Sequence, residues 1–213
     1  MATFSAVAVS NNLTGVGIGN AGQTMTITQT MNGDRTQASN FVAAGNAQDV
    51  SGQTTATANN VSITNEGATL DIASNQTNNS YLRSQLEVSS FEFGAGAAYA
   101  NGVGNSVVAG NNGPNVFLNN TQSNTGAGVE VLASFTGDTG FDSNVGATAV
   151  GNGATGYACS ACNAQMQINN SQFNSAGIGA TATTTITGSN RSVNGVAAAT
   201  GNTATFYVSQ PRP

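Results

Sequence analysis

The chain has 213 residues, a formal net charge of −5 and only 6% charged residues, against about 25% in a typical soluble protein. It contains no His, no Trp and no Lys, and its four cations are Arg35, Arg83, Arg191 and Arg212. These facts exclude His-based acid–base catalysis, His-ligated metals, a phosphate-cradling Lys and the basic footprint that nucleic acid demands.

Along the chain, the first segment opens with Met1-Ala2-Thr3-Phe4, which has neither the charged n-region nor the apolar h-region of a secretion signal. It reads as a mature or recombinant boundary. Nowhere does an apolar run approach the roughly 18 residues of a membrane span, so no span is predicted. Alternation of period 2 begins at once in Thr24-Met25-Thr26-Ile27-Thr28 and returns in Val61-Ser62-Ile63-Thr64, Ala127-Gly128-Val129-Glu130-Val131 and Ala180-Thr181-Ala182-Thr183. Such alternation, bounded by Gly, Asn, Asp and Ser, predicts short strands joined by turns. The best helical candidate, Tyr81 to Glu92, reads equally well as strand.

The strands belong to a repeat. Asn119-Asn120-Thr121-Gln122-Ser123-Asn124 recurs 50 residues later as Asn169-Asn170-Ser171-Gln172-Phe173-Asn174. Ala149-Val150-Gly151-Asn152 recurs at the same shift as Ala199-Thr200-Gly201-Asn202, bringing Tyr157 onto Tyr207. At a shift of 141, Ala8-Val9-Ser10-Asn11 matches Ala149 to Asn152, and Met25-Thr26-Ile27 matches Met166-Gln167-Ile168. Val42-Ala43-Ala44-Gly45-Asn46 reads as a further copy with a longer tail. One domain, 1–213, is therefore divided into units near 4–37, 38–92, 93–142, 143–191 and a partial 192–213.

Units of several short strands, each inadequate alone, bury a core by stacking. The predicted fold is all-β: a β-solenoid of about four and a half stacked repeats, with a stacked sandwich-like array as the alternative. Stacking sets equivalent residues about 4.8 Å apart, where amides form hydrogen-bonded ladders. The ladder positions are Asn119, Asn120, Gln122 and Asn124 with Asn169, Asn170, Gln172 and Asn174. An incomplete last unit leaves an open edge with no Lys to repel a partner. End-to-end self-association into a homopolymer is expected, through Ala6, Ala8 and Asn11 at one end and Ala199, Asn202, Phe206 and Tyr207 at the other.

The Ala-x-Ala-x-Gly-Asn and Asn-Asn-x-Gln-x-Asn-x-x-Gly elements resemble those of secreted curli-like proteins of bacterial surfaces. The likeness is closer to the holdfast anchor protein family HfaD of stalked alphaproteobacteria, and it includes the ending Ala199-Thr200-Gly201-Asn202-Thr203-Ala204-Thr205-Phe206-Tyr207-Val208-Ser209. The resemblance implies a protein exported to the outer membrane and cell surface, able to form fibres, that helps fix an adhesive polysaccharide beside other anchor proteins. It supplies no catalytic residue and no cofactor.

Other candidates are weaker. Cys159 and Cys162 have redox-motif spacing without a βαβ setting, and two Cys without His fall short of a zinc site. A local disulfide, or two thiols in a turn, is the expectation. The acids are scattered, and the nearest pair, Asp138 and Asp142, reads as turn chemistry rather than as a calcium loop or a glycosidase pair. No metal and no catalysis are expected. A monomeric solenoid that binds or processes polysaccharide is the alternative function. Ice binding on Thr ranks is the third, but Thr24, Thr26 and Thr28 fall by the 141 shift on Gln165, Gln167 and Asn169.

Overall fold

The computed structural model describes residues 2–159 and 163–208. Ten strands follow one another: β1 Ala2–Gly17, β2 Gln23–Met31, β3 Arg35–Asn65, β4 Thr69–Asn78, β5 Tyr81–Asn111, β6 Asn115–Asn124, β7 Gly128–Ala158, β8 Gln165–Asn174, β9 Ile178–Ile186 and β10 Ser192–Val208. There is no helix among the described residues, and the segment starting at Tyr81 is strand. All pairings are parallel, in the orders β1-β3-β5-β7-β10, with β9 also on β7, and β2-β4-β6-β8. The protein is a β-solenoid.

Each full turn of the solenoid consists of one 31-residue strand and one 10-residue strand. The long strand cannot run straight, and its burial shows where it bends. In β3 the inward positions are even up to Ala56 and odd from Asn59, with Thr57 and Ala58 also buried. The same step recurs at Gly104-Asn105 and Gly151-Asn152. Residue 58, 104 or 151 is skipped in the pairing, as at a bulge that turns the chain. A side chain has no room there: a Cβ on Gly104 would lie 2.5 Å from the Gly151 carbonyl oxygen. The recurrent Gly-Asn of the sequence is this corner followed by an inward Asn.

Bending produces two cores per turn. Residues 35–44 face residues 50–57 across the first, which holds Val50, Leu82, Leu86, Val131 and Phe135. Residues 59–65 face the 10-residue strand across the second, which holds Val61, Ile63, Leu70, Ile72 and Leu118. In the first core Phe93 and Phe135 meet edge to face at 4.8 Å, a favoured aromatic geometry.

Strand register spaces successive levels by 48, 46, 47 and 50 residues along the Asn11–Asn59–Asn105–Asn152–Asn202 column. The first three sum to the 141-residue shift seen in the sequence. The units drawn from sequence, of about 34 to 55 residues, are less even than these levels. The cause is Gly45-Asn46, which resembles the corner motif but occupies the opposite bend; the true counterpart of Ser10-Asn11 in the second level is Ala58-Asn59.

Candidate functional site

Columns of amides run through the stack, and their chemistry follows from where the strands place them. The corner column is Asn11, Asn59, Asn105, Asn152 and Asn202. Each Nδ2 donates to the Oδ1 of the next at 2.7 Å, always toward the C-terminal end. Each also donates across the second core to a backbone carbonyl: Thr30, Thr77, Ser123, Phe173 and Gln172 respectively. A carbonyl only accepts, so this second bond determines which end of each amide is nitrogen. The ladder therefore has a direction.

The sequence-derived positions lie on the short strands. Gln122 and Gln172 belong to a column with Gln29 and Gln76, whose Nε2 groups donate toward the N-terminal end at 2.7–2.8 Å. Each Gln also reaches the carbonyl of residue 60, 106, 153 or 203 in the facing long strand. Asn124 donates to Asn174 at 2.7 Å and accepts from Asn78 at 2.9 Å. Asn120 donates to Asn170 at 2.7 Å, while Asn169 donates to Asn119 at 3.3 Å on the exposed face. Gln29, Gln76, Asn59 and Asn105 escaped the sequence reading; the Gln-x-Asn of Gln76-Thr77-Asn78 and the Asn after each corner find the last three, while Gln29, followed by Thr30-Met31, is placed only by the β2–β4 register.

At the ends these columns open. Among the described residues, the first level contains β1 and β2 but no counterpart of residues 35–49, and the last contains β9 and β10 but no short strand. Among the described residues nothing lies beyond Asn11 or Asn202 in the corner column. Ala6, Ala8 and Asn11 line β1; Ala199, Asn202, Phe206 and Tyr207 line β10. Ala8 shares a column with Ala199 and Asn11 with Asn202, while Ala6 shares one with Ala197. Phe206 packs against the second core, and Tyr207 stacks on Tyr157 with centroids 5.9 Å apart. Phe4, Val7, Val9 and Val16 on β1, and Val193, Val196, Tyr207 and Val208 on β10, are exposed. A groove of about 880 Å³ opens at the β1–β2 end, lined by Leu13, Met25, Ile27 and Gln29 among others.

The charged groups staple neighbouring levels. Arg191 is paired with Asp142, which also accepts from Ser192 at 2.9 Å. The hydrogen bond from Arg191, then that from Ser192, holds the Asp142 carboxyl below its ordinary range. Asp138 accepts from Thr187 at 2.6 Å. Tyr81 donates to Glu130, which pairs with Arg83 at 3.2 Å; burial, reinforced by that bond, pushes the phenol upward. Among the described residues no three His, Cys, Asp or Glu side chains gather as metal ligands. Cys159 is buried and disulfide-bonded; Cys162 lies outside the described residues.

The Thr ranks need a correction. Thr24, Thr26 and Thr28 align with Gln167, Asn169 and Ser171, a shift of 143. Five residues separate Gly17 from Gln23, and seven separate their column equivalents Ala158 and Met166, so the short strands slip by two relative to the long ones. Thr24 thus stacks with Asp71, Phe117 and Gln167, and Thr183 with Phe41, Glu87 and Ser134. Neither column is a Thr rank.

At the first bend, the side chains of successive levels form an open groove of about 540 Å³ in which Asn46, Gln48, Glu92, Thr139 and Ser189 surround Phe93 and Phe141. Phe141 is exposed, with the Arg191 guanidinium 5.6 Å from its centroid.

A family model described as HfaD, holdfast attachment protein D, matches residues 1–128. No curated protein and no solved structure matches the chain significantly.

Proposed function

The chain belongs to the holdfast attachment protein D family, and from that premise we propose that it is an extracellular structural subunit that stacks end to end into a surface fibre or anchor. The family's role is holdfast attachment, which is structural rather than enzymatic. The observation that carries the reading is the pair of open edges. β1 and β10 contain no charged residue between them, and both expose apolar side chains and unpaired strand backbone. Exposed edges are usually guarded by charge or Pro; among the described residues β1 and β10 carry neither, and two such parallel edges at opposite ends of one stack are the arrangement that propagates heterologously into a filament.

Electron microscopy at rising protein concentration tests this. The full chain is expected to form filaments, and a version truncated after Arg191, which lacks β10, is expected to lose or shorten them. Strictly monomeric particles from the full chain overturn the reading.

The adhesive polysaccharide would lie in the groove at the first bend, where the exposed Phe141 is ringed by amides, hydroxyls and the Glu92 carboxylate, the mix of apolar platform and few polar groups that small-ligand sites use. That groove equally serves the alternative, a solenoid that binds polysaccharide as a monomer. Phe141→Ala is expected to weaken retention of the chain on immobilised adhesive polysaccharide at least tenfold without altering filaments; unchanged retention removes the groove from both readings.

A further inference from the structure

We propose that the self-contact has one register and one polarity: β10 of one copy lies parallel against β1 of the next, with Val193 opposite Ala2 and Val208 opposite Gly17. This rests on the end-to-end reading above and names the joint it uses.

Three independent features select this pairing. The first is the column itself. Following the pairings Ala2↔Val50, Val50↔Gly96, Gly96↔Ser143 and Ser143↔Val193 assigns Ala2 and Val193 to one column, and Gly17 and Val208 likewise share one. A copy placed in that register continues the stack with its inward residues inward. A slip of one residue turns every side chain to the wrong face.

The second is amide polarity. Asn202 has its Oδ1 occupied by the Asn152 nitrogen and one N–H on the Gln172 carbonyl of the level below, so a nitrogen-bound hydrogen is what it has left for a further level. At the other end Asn11 has spent its nitrogen on Asn59 and Thr30, leaving Oδ1 turned outward. A donor thus meets an acceptor only when the C-terminal end of one copy faces the N-terminal end of the next. Two N-terminal ends would set oxygen against oxygen.

The third is size. In the proposed register Phe206 falls opposite Gly15, Phe4 opposite Gly195, and Leu13 opposite Ala204. This is how the chain already packs its large rings: a Cβ on Gly156 would lie 2.9 Å from Phe206, and one on Gly140 2.3 Å from Phe93. Gly195 has open space where a Cβ would stand. Phe206 then enters the groove lined by Leu13, Met25 and Ile27. A slip of two residues puts Phe206 against Leu13 or Gly17 and separates Asn202 from Asn11.

Five levels per copy at about 4.8 Å each correspond to an axial repeat of about 24 Å. The β8 and β9 edges stay uncovered at such a joint, because among the described residues the first level has none over β9 and the last has no short strand over β8. Filaments should therefore show a strand-wide gap on each of two sides at every repeat.

The test is cross-linking of assembled filaments. Thr14→Cys/Thr205→Cys sets two outward thiols opposite each other across the joint, within disulfide reach, while inside one copy they stand four levels, about 19 Å, apart. Mild oxidation is expected to convert these filaments into covalent multimers, and to leave Asn12→Cys/Thr205→Cys filaments, two residues out of register, non-covalent. Gly15→Phe is expected to abolish elongation and Gly15→Phe/Phe206→Gly to restore it. Filaments that cross-link only through the offset pair, or through neither, overturn the register while leaving end-to-end stacking intact. Absence of filaments from the unsubstituted chain overturns both.

Discussion

The same residue does different work in the middle and at the ends of the stack. Asn105 is fully buried between Asn59 and Asn152, and every polar atom of its amide is engaged. Asn202 occupies the same column with one ladder neighbour and a longer 3.3 Å bond to the Gln172 carbonyl. Phe135 is fully buried in the middle, while Phe206 covers the second core from the outside. Level by level, the sequence grammar is alike; the contribution of each side chain is set by whether it has a level on both sides. In a solenoid of this kind stability is close to a sum of nearest-neighbour terms, so the ends are both the weakest levels and the ones with contacts to spare.

Substitutions can break that contrast, and the largest effect is expected in the first core. Phe135→Ala should cost about 3–5 kcal/mol in urea melts of the unassembled chain, with Phe206→Ala costing clearly less. Equal costs would mean the terminal level is as tightly held as the middle.

Next come the amides. Asn105→Ala leaves the Asn59 nitrogen, the Asn152 oxygen and the Ser123 carbonyl without their partner, at about 1–3 kcal/mol for a buried group left unsatisfied. Asn202→Ala should stay within about 1 kcal/mol in the same melts. A smaller loss for Asn105 than for Asn202 contradicts the ladder as a source of stability.

The corner glycines come third. Gly104→Ala forces its Cβ against the Gly151 carbonyl and is expected to cost about 1–3 kcal/mol. Gly195→Ala meets open space and should change stability by no more than about 0.5 kcal/mol.

The smallest effect is electrostatic and confined to the last level. The carboxyl of Asp142 titrates below its ordinary range because Arg191 and Ser192 hydrogen-bond its charged form. Its contribution is therefore present above the unfolded carboxylate pKa of about 3.9 and is lost as pH falls through the lower folded value. Hydrogen exchange of β10 amides should accelerate over that acid window and should lose the extra acid sensitivity in Asp142→Asn. An unchanged profile in the variant means the pair does not tether β10.

Much of the stack is legible in the sequence because stacking repeats each residue's surroundings. The 50-residue shift between Asn119–Asn124 and Asn169–Asn174 is the β6–β8 register, and the shift between Ala149 and Ala199 is the β7–β10 register. The second level is harder to read. Its corner, Ala58-Asn59, carries Ala where the later levels carry Gly, and Gly45-Asn46 at the other bend imitates it. The Thr columns mislead for a related reason: turns of unequal length shift the short strands against the long ones without leaving a mark on either strand.

The sequence by itself determined that the chain is a charge-poor, period-2 repeat whose Asn and Gln recur in fixed columns, because a residue about 4.8 Å above its equivalent needs the same kind of neighbour. Only the tertiary structure decided that each level folds around two cores and that each amide column has its own direction. The inward residues of both cores are drawn from the same small apolar set, so nothing in their identity assigns them. The direction depends on carbonyls that lie 18 to 31 residues away along the chain and reach the amide only once the level has closed.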